Sequence, residues 1–141
     1  MSTTVSEAMR ASVETLSPDA SISDLARSMK NLDIGIVPIL DQERLVGLVT
    51  DRDIVLRGLA DGRDPAALKA RDLMSKDIVS CAPDESLKKA AKRMAKAQVR
   101  RWPVPSDGNF VGMLSLGDVS QASDDDDDCA DLVRAVSDHH E

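Results

Sequence analysis

Two aspartates in this chain each follow a hydroxyl residue by three positions and a glycine by six. They are Gly47, Thr50 and Asp53 in GLVTDRDI, and Gly112, Ser115 and Asp118 in GMLSLGDV. A hydroxyl three residues before a carboxylate is close to a capping box, in which each side chain accepts the other's backbone N–H. An acid in the first turn also suits the helix dipole. The same geometry can bind a nucleotide. A helix start presents free N–H groups to phosphate oxygens, and an aspartate one turn in can accept both ribose hydroxyls, as in dinucleotide folds. The hydroxyl of Thr50 or Ser115 can serve ribose or phosphate while still capping.

An internal comparison bears on the choice. Ser21-x-x-Asp24 is also a capping pattern, but its repeat is Ser86-x-x-Lys89, so that acid is not kept. Asp53 and Asp118 are kept, and the glycine before each has no part in capping. On this reading the aspartates serve a ligand.

These residues sit in a duplication. Shifted by 65 positions, residues 9–53 align with 74–118 without a gap, and ten positions are identical. Ordinary residue frequencies would give roughly three. The identities include Met9/Met74, Pro18-Asp19/Pro83-Asp84, Ser21/Ser86, Met29/Met94, Pro38/Pro103 and both glycines. Ile22, Leu25, Ala26 and Met29 form a helical stripe that Leu87, Ala90, Ala91 and Met94 repeat. A period this long indicates a duplicated unit rather than a solenoid turn.

The elements needed to hold the two motifs then read alike in both halves. Short strands over 13–16 and 78–81 lead through Pro-Asp turns to helices over 22–32 and 87–97, with Ser21 and Ser86 as N-caps. Paired strands follow over 35–40 and 45–50, and over 101–104 and 110–115, joined by turns such as SDGN. A second helix opens after Thr50 or Ser115. Residues 68–74 are read as a helix entering the second unit, as residues 5–9 enter the first. Strand–helix–strand–strand–helix, twice, is an α+β fold.

Pro38 and Pro103 lie within strands. Proline removes a ladder donor and keeps its predecessor extended, so each strand is at an edge or locally irregular there. Groups just before each proline are expected to be free for other partners.

At 141 residues the chain allows one domain or two half-sized units sharing a core. With one Phe, one Trp and no Tyr, that core must be aliphatic, with Trp102 in it. Of the net charge of −7, Asp124–Asp128 supply five, leaving −2 elsewhere. No basic stripe with interleaved aromatics appears, so nucleic acid is not an expected partner. No signal peptide or spanning apolar run appears either, so no membrane partner is expected and a cytoplasmic location is. Cys81 and Cys129 share no motif spacing and read as reduced thiols. The tail over 123–141 reads as an acidic loop and a short helix through Leu132, Val133 and Val136. Neither it nor His139-His140 has the spacing of a defined metal site.

DIGIVPILD…LVGLVTDRDI and QVRRWPVPSDGNFVGMLSLGDV resemble the two halves of a CBS-domain pair, the Bateman module. The chain looks most like small stand-alone bacterial proteins consisting of little beyond the pair. The resemblance implies tandem CBS domains, two β-α-β-β-α units with pseudo-two-fold symmetry. They would occupy 5–60 and 74–122, with a linker over 61–73. It also implies a non-catalytic sensor that requires no cofactor. Such a sensor binds an adenosine-containing ligand (AMP, ADP, ATP, NAD or S-adenosylmethionine) in a cleft between the units. Two pairs commonly form a disk-shaped homodimer, and occupancy is passed to a regulated protein partner that the sequence does not identify.

In the family each site joins the pre-proline segment of one unit to the hydroxyl–aspartate pair of the other. One site would then combine Thr15, Leu16, Ser17, Ile34, Gly35 and Ile36 with Ser115 and Asp118. The other would combine Ser80, Cys81, Ala82, Val99, Arg100 and Arg101 with Thr50 and Asp53. Arg52, Arg100 and Arg101 are the cations expected to meet phosphates, because guanidinium pairs with phosphate oxygens bidentately. The second unit has Leu116-Gly117 where the first has Asp51-Arg52, which leaves no local cation at the Ser115/Asp118 helix start. Pro105 also stands where the first unit has Leu40.

Two other readings remain open: a constitutive dimeric scaffold with vestigial pockets, and, more weakly, a small hydrolase. No general base, nucleophile or metal cluster is assembled by these motifs.

Overall fold

The computed structural model describes residues 3–122. The acidic loop and short helix expected over 123–141, with Cys129, His139 and His140, lie outside the described residues. The chain forms two compact units. One is Glu14–Ile78, and the other joins the described residues up to Val13 to those from Val79 onward. Among the described residues no helix is long and apolar enough to cross a membrane.

In the Glu14–Ile78 unit, α2 (Ile22–Leu32) starts at Ser21, whose hydroxyl accepts the Asp24 N–H. It ends at Asp33 in the left-handed conformation, with φ 54°. Of the expected stripe, Ala26 is exposed, while Leu25 is fully covered and Ile22 and Met29 nearly so. They pack on Val37, Ile39 and Val49 of an antiparallel hairpin formed by β1 (Ile36–Asp41) and β2 (Arg44–Thr50). A helical stretch follows, α3 (Asp51–Asp53) running into a π-helical turn over Ile54–Leu59. A 3₁₀ turn at Pro65–Ala67 and α4 (Ala70–Leu73) complete the unit.

The other unit repeats this order. Ser86 caps α5 (Leu87–Ala97), which covers the hairpin of β3 (Arg101–Ser106) and β4 (Asn109–Ser115). Asp107 and Gly108 both take positive φ in its tight turn, as a two-residue hairpin loop requires. Then α6 (Leu116–Ala122) follows. Trp102 lies in this unit's core, as expected from sequence. Each hairpin ladder slips just past its proline, between Ile39 and Leu40 and between Val104 and Pro105.

The strands expected over 13–16 and 78–81 do not form as strands. Leu16 makes a single parallel bridge, donating to the Pro38 carbonyl at 3.1 Å and accepting from the Leu40 N–H at 2.9 Å. Extension in one direction needs an N–H at Pro38, and in the other an N–H at Pro18. Proline supplies neither. Cys81 is more restricted still. Its N–H reaches the Pro103 carbonyl at 3.1 Å, but Pro105 cannot return the bond that Leu40 provides in the first unit.

The entering segments are also assigned differently from the expectation. The first helix, α1 (Val5–Ala8), packs in the unit that begins at Val79. Val5 is fully buried among that core's residues, and its N–H donates to the Glu85 carbonyl at 2.9 Å. Conversely α4 stays with the Glu14–Ile78 unit, where the Ala70 N–H donates to the Ala20 carbonyl at 2.9 Å. Arg71 and Lys69 pair there with Asp19.

This packing explains the repeated glycines. A Cβ on Gly47 would stand 2.6 Å from the Met74 sulfur, and one on Gly112 would stand 2.8 Å from both the Arg10 carbonyl oxygen and the Met9 sulfur. Both glycines make room for the entering segments, so they no longer argue for a ligand. At Gly112 the obstacle includes backbone, and at Gly47 it reaches back to the Met74 Cβ at 2.9 Å, which the backbone holds in place. Gly112→Ala and Gly47→Ala are therefore each expected to destabilise by about 1–3 kcal/mol. Comparing their melting temperatures with that of the parent chain checks this.

Candidate functional site

Both hydroxyl–aspartate pairs form the reciprocal cap. The Asp53 N–H donates to Thr50 Oγ1 at 3.1 Å, and Asp53 Oδ2 accepts the Thr50 N–H at 2.8 Å. In the other unit the Asp118 N–H donates to Ser115 Oγ at 3.1 Å, and Asp118 Oδ2 accepts the Ser115 N–H at 3.0 Å. The hydroxyl ends a strand in extended geometry, and the next residue starts the helix. In each carboxylate one oxygen is committed to the cap, while Oδ1 faces a cation.

Those cations differ. Arg57, one turn beyond Asp53, lies 3.9 Å from its Oδ1 and also donates to the Leu73 carbonyl at 3.1 Å. Asp118 Oδ1 instead accepts from Arg10 Nε at 3.2 Å. The Asp118 side chain is 6% exposed and that of Asp53 18%, so Asp118 depends more on protein partners. The i,i+4 spacing of Asp53 and Arg57 was legible in sequence. Arg10 had no local signal, being 108 residues from its partner. Its presence corrects the expectation that the Ser115/Asp118 helix start has no cation beside it.

The pre-proline segments lie against the helix starts of their own units. The Asp51 N–H donates to the Gly35 carbonyl at 3.0 Å, and the Leu116 N–H to the Arg100 carbonyl at 2.9 Å. The Ile34 and Val99 N–H groups each close the preceding helix, donating to Met29 and Met94 carbonyls at 3.0 Å. These groups are therefore engaged within their units, contrary to the expectation that they stand free. A left-handed residue ends each preceding helix and aims the next N–H back at it.

Of the other expected residues, Thr15, Leu16, Ile34, Gly35 and Ile36 are partly exposed beside β1, and Ser17 is exposed. The Ser17 hydroxyl accepts the Asp19 N–H at 3.0 Å in the turn. Arg52, Arg100, Arg101 and Ala82 are exposed, and Val99 and Ser80 partly so. Arg93 donates to the Ser80 carbonyl at 2.8 Å, to both Glu85 oxygens at 2.7 and 2.8 Å, and stacks over Trp102 at 4.9 Å. Cys81 is fully buried in the core, side chain and main chain alike, contrary to the expectation that it faces a ligand. Burial, with help from the Glu85 carboxylate and against Arg93, pushes its thiol up to about 12. It is thus a neutral packing group rather than a nucleophile.

Comparison with known proteins agrees with this architecture. The CBS domain model matches residues 5–59 and 70–125. The chain is 40% identical over 116 residues to the CBS domain-containing protein YhcV of Bacillus subtilis, covering 82% of each chain. It is 36% identical over 120 residues to hypoxic response protein 1 of Mycobacterium tuberculosis, covering 84% of each. The crystal structure of Hypoxic Response Protein I with two coordinated zinc ions superposes with a TM-score of 0.77 at 36% identity, covering 85% of this chain and 98% of that one. The CBS domain pair of protein MJ0100, in complex with 5-methylthioadenosine and S-adenosyl-L-methionine, superposes with a TM-score of 0.74. At 24% identity, covering 89% of this chain and 98% of that one, it shares the fold. Two copies of one unit, each matched by the same model, identify the chain as a member of the CBS-domain family that carries a pair of the domains.

Proposed function

We propose that this CBS pair is a non-catalytic, cytoplasmic regulatory module that binds adenosine-containing ligands (AMP, ADP, ATP, NAD or S-adenosylmethionine) at Thr50/Asp53 and Ser115/Asp118. The observation that carries this reading is the twice-built carboxylate. In each, the cap holds one oxygen in place and the second oxygen is left to a charged partner that a ribose hydroxyl can replace. Arg52, Arg100 and Arg101 are exposed cations for the phosphates. The residues over 15–17, 34–36 and 99–101, with Ser80 and Ala82, are proposed to line the base and ribose.

MJ0100 is a protein of this fold with adenosine-derived ligands bound. The zinc ions of the Hypoxic Response Protein I structure belong to that protein. Among the described residues here no three His, Cys, Asp or Glu side chains come together, and the proposal includes no metal.

Binding can regulate only if the ligand prefers one arrangement of the protein to another. The proposed assembly is a homodimer, supported by the exposed apolar side chains Val55, Leu56 and Leu59 on the π-helical turn. Their repeat positions include Ser120 and Gln121, so this apolar face belongs to one unit only. A scaffold with vestigial pockets has one observation in its favour, since both caps are complete without a ligand. Melting curves across a nucleotide panel separate the readings. A ligand at 100 times its dissociation constant should add about 2.7 kcal/mol, whereas unchanged melting with every nucleotide supports the scaffold. Light scattering in the same buffers is expected to give twice the protomer mass.

A further inference from the structure

We propose that Arg10 sets the charge preference of the Ser115/Asp118 site. It pairs with Asp118 when no ribose is bound, and turns to the ligand's phosphate when ribose hydroxyls take the carboxylate. This rests on the ribose reading given above.

The Arg10 main chain is clamped to β4 in both directions. Its N–H donates to the Met113 carbonyl at 2.9 Å, and the Met113 N–H returns a bond to the Arg10 carbonyl at 2.9 Å. The origin of the side chain is therefore fixed. Its head is not, since the side chain is 72% exposed and touches Asp118 through Nε alone, rather than through the two-toothed fork that strong guanidinium–carboxylate pairs use. Asp118 is the opposite, nearly buried and pinned by the Ser115 N–H. A buried carboxylate needs its second oxygen satisfied. Ribose hydroxyls can do that, and the released guanidinium is then beside a ligand whose phosphate lies on the same sugar.

The other unit provides the comparison. Ser75 is the repeat of Arg10 and makes the same double bridge, with Leu48, at 2.8 and 3.1 Å. The backbone seat is thus built twice, but only one copy holds a cation. The two sites are expected to differ in how they rank charged and uncharged ligands, with the Ser115/Asp118 site favouring AMP over adenosine.

The test uses the full chain carrying Asp53→Ala, so that the Ser115/Asp118 site reports alone, titrated calorimetrically with adenosine and with AMP. Adding Arg10→Ser, a residue that the equivalent seat already accommodates, should weaken AMP by roughly tenfold or more. The same change should tighten adenosine by about two- to fivefold, the worth of an exposed ion pair. Arg10→Lys, which keeps the charge, should retain most of the AMP preference. An unchanged AMP-to-adenosine ratio in Arg10→Ser, with binding still lost in Asp118→Ala, overturns the role of Arg10 and leaves the ribose reading standing. Binding that survives Asp118→Ala overturns both.

Discussion

Asp53→Ala should weaken binding of adenosine nucleotides at the Thr50/Asp53 site by roughly 10- to 150-fold, the worth of hydrogen bonds to a charged acceptor. The carboxylate has two duties that the alanine variant removes together. Oδ2 holds the Thr50 N–H at 2.8 Å, and Oδ1 is loosely matched by Arg57 at 3.9 Å. Losing the first costs cap stability, about 0.5–2 kcal/mol. Asp53→Asn separates the duties. Its amide oxygen can still accept the Thr50 N–H, but its NH₂ group cannot accept a ribose hydroxyl. Near-parental melting of the asparagine variant, with a tenfold or greater loss of affinity by calorimetry, is the expected pair of results. Full affinity in both variants would reduce Asp53 to a helix cap.

The sequence was most informative where a local pattern dictates a local structure. The two helical stripes were buried as read except at Ala26, with Ser21 and Ser86 at their starts. The hairpins were legible as paired strands joined by turn residues such as Asp107 and Gly108. The leading strands, VETL and IVSC, were misread because these short segments were weighed without the prolines that limit their pairing. Pro18, Pro38 and Pro105 each delete a donor that the ladder needs, and all three were visible in the chain. Arg10 and the reason for Gly112 were harder to see. Both depend on a segment folding onto a strand about a hundred residues away, and no short-range pattern specifies such a pairing. A partial signal was present, since Met9 and Gly112 repeat together as Met74 and Gly47. Identities kept at matched places in a duplication can mark residues that touch as well as residues that bind.

The same long-range pairing makes the largest stability prediction. A chain beginning at residue 11 should lose the unit that starts at Val79 and keep the Glu14–Ile78 unit. Removing residues 1–10 uncovers the pocket filled by Val5, which is fully buried against the core containing Leu87, Met94 and Leu114. It also breaks the Val5–Glu85 and Ser6–Pro83 bonds at 2.9 Å, the Leu87–Thr3 bond at 2.8 Å and the double bridge of Arg10 to Met113. Core truncations cost about 2–5 kcal/mol, and the lost backbone partners add to that. Against a total of roughly 5–15 kcal/mol for a domain, the loss is large. Hydrogen exchange read by mass spectrometry should show α5 and β4 losing protection while β1 and β2 retain theirs. Had residues 5–9 entered the first unit, as the linear order of the repeat suggests, the pattern would be reversed, with β1 and β2 exchanging first.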